Sequence, residues 1–156
     1  MTWKRALLAV AVLAVLIQLV PYGRGGDPAP GQEAPWPSAE ARAIAVRAYY
    51  DCHSREPHRP FYAQIAPASW LVQRDIDAAR DELDFTAWDE GEQEAHDAAE
   101  EVEDGDMPPR RYLLLHPGAR LSDREEQVLI AALEAMDDHE GGRGRGRRGG
   151  GHEGSG

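Results

Sequence analysis

Apolar positions along the chain form one unbroken run near the N-terminus, followed by several segments with helical repeats. Ala6 to Val20 is apolar apart from Gln18, and Trp3 and Tyr22 stand at its two ends, as membrane-interface aromatics do. Further on, Ser38 precedes an alanine-rich stretch in which Ala41, Ile44, Ala45, Ala48 and Cys52 recur three or four residues apart. That spacing predicts a helix capped by Ser38 and running to about His53. A second helix is expected from Trp70 to about Leu83, capped by Ser69, with Trp70, Gln73, Ile76 and Leu83 facing inward. A third covers about Asp89 to Glu103, where Ala95, Ala98, Ala99 and Val102 stand among so many acids that the helix should lie flat on the surface. A fourth begins with Ser122 and Glu125 as a capping box and places Val128, Leu129, Ala132, Leu133 and Met136 on one face. No segment alternates with a period of two. The expected fold is therefore all-α, a small helical domain with long loops between the first two helices and around Met107, preceded by one N-terminal membrane helix.

Composition divides the chain further. The apolar run is short for a hydrocarbon core of roughly 30 Å, yet Gln18-Leu19-Val20-Pro21-Tyr22 offers no small-x-small cleavage site, which favours an uncleaved signal anchor over residues 1–24. Lys4 and Arg5 place its N-terminus inside, so the remainder is expected outside the cytoplasmic membrane. Residues 25–37, rich in Gly and Pro, suit an extended tether, 38–138 the domain, and the Gly/Arg-rich 139–156 a disordered tail. Of the 17 basic and 28 acidic residues, 10 and 26 fall between 25 and 138, a net charge of −16 there. A surface this acidic repels nucleic acid and suits basic protein partners.

Cys52 is the sole cysteine, so no intramolecular disulfide can form. Cys52-His53 ends the first helix, where c-type cytochromes carry Cys-x-x-Cys-His. Aligned on His53, the position of the first cysteine holds Tyr49. Met107 precedes Pro108 and Pro109 in a stiffened loop, a setting that can present a thioether to iron. His116, between Leu115 and Pro117, is the alternative to Met107, and Arg59 could approach a haem propionate. No Ser-His-Asp set, phosphate loop or zinc spacing is evident, so an enzyme is not expected.

The chain resembles the small exported haem-binding domain proteins of bacteria, which join an N-terminal anchor, a c-type haem motif near the end of the first helix and a later Met-Pro-Pro. The likeness includes Val20-Pro21-Tyr22-Gly23-Arg24, Ile65-Ala66-Pro67-Ala68-Ser69-Trp70-Leu71-Val72 and Tyr112-Leu113-Leu114-Leu115-His116-Pro117, and extends over most of residues 1–136. It implies a haem c held by one thioether to Cys52, with His53 as proximal iron ligand and Met107 as distal ligand. The expected role is electron transfer with redox partner proteins at the bacterial cytoplasmic membrane, the domain facing the periplasm or exterior. The alternative is a member that holds haem noncovalently, or not at all, and serves as an anchored interaction module.

Overall fold

Ser38 starts the domain as expected: its Oγ accepts from the Ala41 N–H at 3.0 Å. In the computed structural model the backbone is described for residues 2–90 and 93–148, and side chains for 3–90 and 93–137. Among the described residues the chain is helical throughout, without strands. The α-helices are α1 (Thr2–Leu16), α2 (Ala39–Ala48), α3 (Tyr50–His53), α4 (Ala68–Glu82), α5 (Ala95–Glu103), α6 (Arg110–Leu115) and α7 (Asp123–Arg148). Short 3-10 turns occupy Ile17–Leu19, Phe61–Gln64 and Pro117–Ala119.

The core lies between α2, α5 and α7. Ile44, Ala45 and Ala48 of α2, Ala95, Ala99 and Val102 of α5, and Leu129, Leu133 and Met136 of α7 are all buried in one cluster. As expected, α5 lies on the surface: its small apolar face is covered by α7, and its acids and His96 reach solvent. Alanines at the contact let the two helices approach closely, so a short, highly charged helix can still bury one full stripe.

The first predicted helix is broken in two at Tyr49, whose φ and ψ of −128° and −28° leave the helical region. Its carbonyl accepts from both Cys52 (3.0 Å) and His53 (2.9 Å), which winds the motif into the separate turn α3. The second helix begins at Ala68, with Pro67 and not Ser69 at the cap. The Pro67 carbonyl accepts from Trp70 and Leu71, while the Ser69 Oγ is buried without a partner. At the far end, Ser122 and Glu125 form the expected capping box, the Glu125 carboxylate accepting from both the N–H and the Oγ of Ser122 at 2.9 Å. The helix then continues to Arg148, past the point where order was expected to end; each glycine in that stretch disfavours helix by roughly 1 kcal/mol relative to alanine. The rest of the expected tail, 149–156, lies outside the described residues.

The segment expected to be a free tether is docked on the domain. Gly31 N–H donates to the Thr86 carbonyl, Ala34 N–H to Phe85, and Trp88 N–H back to Gln32. Ala34 is buried as a result. Asp27 sits between two arginines, accepting from Arg59 at 2.7 Å and from Arg80 at 2.8 Å. Arg59 is thereby committed to the strap, with further bonds to Gln73 and the Gly23 carbonyl, and does not line the cavity beside His53. As for the N-terminus, α1 has 15 residues with exposed apolar side chains, and no helix among the described residues is long and apolar enough to cross a membrane.

Burial alone would raise the Asp27 carboxyl, but hydrogen bonds from Arg59 and Arg80 outweigh it and hold the carboxyl below its usual 3.8. A depressed pKa stabilises the fold above that range and ceases to do so as pH falls through the lowered value. Asp27→Asn should therefore cost roughly 2–3 kcal/mol in urea unfolding at neutral pH by stranding two arginines. The deficit relative to the unsubstituted protein should shrink as the pH is taken below 4; a deficit independent of pH would exclude the ion pair as its source.

Candidate functional site

After α4 the chain turns through Leu83-Asp84-Phe85-Thr86-Ala87-Trp88, every residue of which is buried. A buried turn must satisfy its backbone polar groups, and Asp84 does much of this here, although the buried Trp88 indole N–H has no partner among the described residues. The Asp84 carboxylate accepts from the Thr86 N–H and Oγ1, both at 2.9 Å, and from Arg55 Nε at 3.0 Å. Gln93 Oε1 accepts from the Asp84 N–H. Phe85 projects into the core, its ring centroid 4.8 Å from that of Trp36, 5.6 Å from Tyr50 and 6.0 Å from His53.

This turn fixes His53 twice. The His53 carbonyl accepts from the Phe85 N–H at 2.8 Å, and the imidazole Nδ1 lies 3.0 Å from the Leu83 carbonyl. A carbonyl can only accept, so Nδ1 carries the hydrogen and Nε2 of the neutral ring holds a free lone pair. Burial lowers the pKa of the imidazole, with the Leu83 bond acting in the opposite sense. The ring is thus favoured in its neutral form with one nitrogen oriented by a backbone carbonyl, the arrangement that a metal-ligating histidine needs.

Two adjoining cavities, of about 250 and 260 Å³, share Tyr49, His53, Glu82 and Met107 in their walls. The first is completed by Leu83, Phe85, Ala98, Leu129 and Leu133, with Glu94, Asp97 and Glu101 at its acidic side. The second adds Ala48, Cys52, Ala78, Ala79 and the Pro108-Pro109 loop. Cys52, His53 and Met107, singled out from the sequence, are therefore brought to one cavity. Desolvation, with Asp51 and Asp75 nearby, pushes the Cys52 thiol up to about 11, so it stays protonated near neutrality.

Tyr49 is 7 % exposed, and its hydroxyl donates to the Met107 carbonyl at 3.1 Å. Tyr49 thus ties the turn that carries Cys52 and His53 to the methionine loop. His116 is not brought to this site. Its ring stacks on Tyr112 with centroids 4.1 Å apart, its Nδ1 lies 3.2 Å from the Tyr112 carbonyl, and its Nε2 lies 3.3 Å from the Tyr62 hydroxyl. Both nitrogens are engaged away from His53, and the residue lines an outer groove and a small pocket that reaches Cys52, but neither cavity of His53. Sequence reasoning missed the Leu83–Phe85 turn, Glu82 and Tyr112; the only sequence signal for the turn was an apolar-rich hexapeptide between two helices.

The donor set suits a particular kind of group. His53 and Met107 offer one nitrogen and one thioether, too few for a bare ion but matching an iron that brings its own equatorial nitrogens. Among the described residues no group of three or more His, Cys, Asp or Glu side chains is arranged to hold a metal by itself. The apolar walls suit a macrocycle, and among the described residues Arg111 is the one Lys or Arg lining either cavity. Fold and site together define a small all-helical protein built round a ligand cavity with a histidine and a methionine in its wall. The chain belongs to the haem-binding domain family, whose family model matches residues 12–135. No curated protein and no solved structure matches the chain. Haem is the cofactor that this membership supports.

Tyr49→Phe should keep the packing and lose only the bond to the loop, costing roughly 1 kcal/mol in chemical denaturation. Amide exchange at residues 105–107 should rise in the variant while the α7 core amides hold, and equal exchange in both proteins would exclude the tie.

Proposed function

We propose that the chain is a membrane-anchored haem protein in which Cys52 forms a single thioether with the macrocycle, His53 Nε2 is the proximal iron ligand and Met107 is the distal one. The observation that carries this reading is the desolvated His53 ring, its Nδ1 committed to Leu83 and its face turned to the cavity that Cys52 and Met107 also line. Met107 is preferred to His116 because the latter is held by Tyr62 and Tyr112 elsewhere.

A bound haem supplies a one-electron couple, which a histidine–methionine pair sets higher than two histidines would. The protein's part is to hold the imidazole at a fixed tilt through Leu83 and Phe85, to keep the loop in place through Tyr49, and to exclude water with Phe85, Leu129 and Leu133. Glu94, Asp97 and Glu101 disfavour a propionate at the first cavity, whereas at the second Arg111, drawn from its ion pair with Asp75 at 3.0 Å, favours one. They also supply a negative rim for a basic redox partner. Residues 1–24 anchor the chain with Lys4 and Arg5 inside, so that the domain works on the periplasmic or outer face.

Tyr49 favours a second reading. In it, with Cys52 as the sole cysteine, haem is seated by ligation and apolar contact alone, without the thioether. Co-expression with a c-type attachment system separates the two readings. A chain heavier by one haem, with a pyridine haemochrome spectrum shifted toward one unsaturated vinyl, is the expected result. Haem lost on acid extraction with unchanged mass would support the noncovalent reading, and no haem at all would overturn both. His53→Ala should abolish loading, and Met107→Ala should remove the methionine-to-iron charge-transfer band while haem remains.

A further inference from the structure

Gln18 is the polar interruption of the apolar run, and the fold gives it a task. Its side chain grips Ala66 from both sides: Nε2 donates to the carbonyl at 2.9 Å and Oε1 accepts from the N–H at 3.0 Å. Two further contacts hold the same junction. The Tyr22 hydroxyl donates to Asp77 at 2.9 Å. Gly23, at φ 77°, crosses α4 so closely that a Cβ there would stand 2.3 Å from the Ser69 carbonyl oxygen. The end of α1 is therefore pinned to one face of the domain.

That face is apolar and open. Ile65, next to the gripped residue, is 51 % exposed and Leu71 60 %, with Phe61 at 78 %, Leu114 at 82 % and Leu115 at 65 %. Tyr62, Leu71, Val72 and Leu115 line one shallow groove of about 610 Å³, which joins the 3-10 turn, α4 and α6 into a single surface. Monomeric domains rarely leave so many large apolar side chains together in water. The helix pinned beside them is itself apolar and exposed on all sides. At 1.5 Å per residue α1 spans only about 22 Å, less than a hydrocarbon core of roughly 30 Å, so a bilayer that accommodates it must draw in the surface next to its end.

We propose that Phe61, Ile65, Leu71, Leu114 and Leu115 form a lipid-contact face that lies in the interface of the bilayer entered by α1. The inference rests on the anchoring role proposed above and extends it: the domain sits on the membrane in one orientation, set by the Gln18 grip. Arg74, which lines the groove, meets the headgroups. Because Asp75, Arg111 and Tyr112 line both this groove and the cavity of Cys52, that side of the cavity is turned toward lipid, and the side bearing Glu94, Asp97 and Glu101 is left for a partner.

The test uses the full chain reconstituted in vesicles of phosphatidylcholine and phosphatidylglycerol containing a lipid with a photoactivatable diazirine on its acyl chain, with adducts mapped by mass spectrometry. Adducts are expected on the peptides covering 61–71 and 112–115 as well as on α1. Leu114→Asp combined with Leu115→Asp, both exposed and so tolerated by the fold, should reduce adducts on those two peptides at least several-fold and leave α1 labelled as before. Gln18→Ala should act in the same direction. Labelling of α1 alone would overturn the lipid-contact face while keeping the anchor, the more so if cross-linking shows the face paired with a second copy. Absence of label from α1 would overturn the anchor and this inference with it.

Discussion

Two hydrogen bonds from the Leu83–Phe85 turn hold His53, one on its ring and one on its backbone, and most of the domain can be understood as what is needed to keep that turn in place. A turn buried on all sides must account for its backbone polar groups. Asp84 does so by gathering Thr86, Arg55 and Gln93, and the strap from Gly31 to Trp36 completes the accounting on the outer side. The aromatic packing of Phe85 on Trp36 and Tyr50 then ties the same turn to α2 and α3. Histidine, turn and strap consequently form one cooperative unit, in which loosening any member exposes polar groups of the others.

Much of this was legible from residue patterns. The helical spacing of Ile44, Ala45 and Ala48 and of Leu129, Leu133 and Met136 located the two largest contributions to the core, and the Ser38 and Ser122 caps fixed where those helices begin. Cys52, His53 and Met107 were recognisable as chemistry, and they do meet at one cavity. What could not be seen were features that depend on distant partners. Tyr49 has an ordinary side chain for a helix, and only its burial against the Met107 loop explains the break there. Ser69 looks like a cap, but Pro67 starts the helix first. The Gly/Pro segment looks like a tether because its hydrogen bonds run to a turn some fifty residues away, which no local pattern records. The stripe of Ala95, Ala98, Ala99 and Val102 was visible among the acids of α5, but not that α7 would cover it, because small side chains give little signal of which partner they approach.

Electrostatics separates the site into two sides. Glu94, Asp97 and Glu101 stand together on one, Arg111 paired with Asp75 on the other, Glu82 lies between them, and burial depresses the basicity of the histidine there. Such a gradient across a small cavity orients any amphiphilic, doubly charged ligand before a single covalent bond is made.

The bond from Tyr49 to residue 107 is received by the main chain, not by the methionine side chain. The position of the loop and the identity of the group it presents are therefore independent variables. A histidine, a lysine or an inert leucine could stand at 107 with the loop held as before. Such exchanges would leave the scaffold unaltered, so the domain can be retuned at one position without being rebuilt.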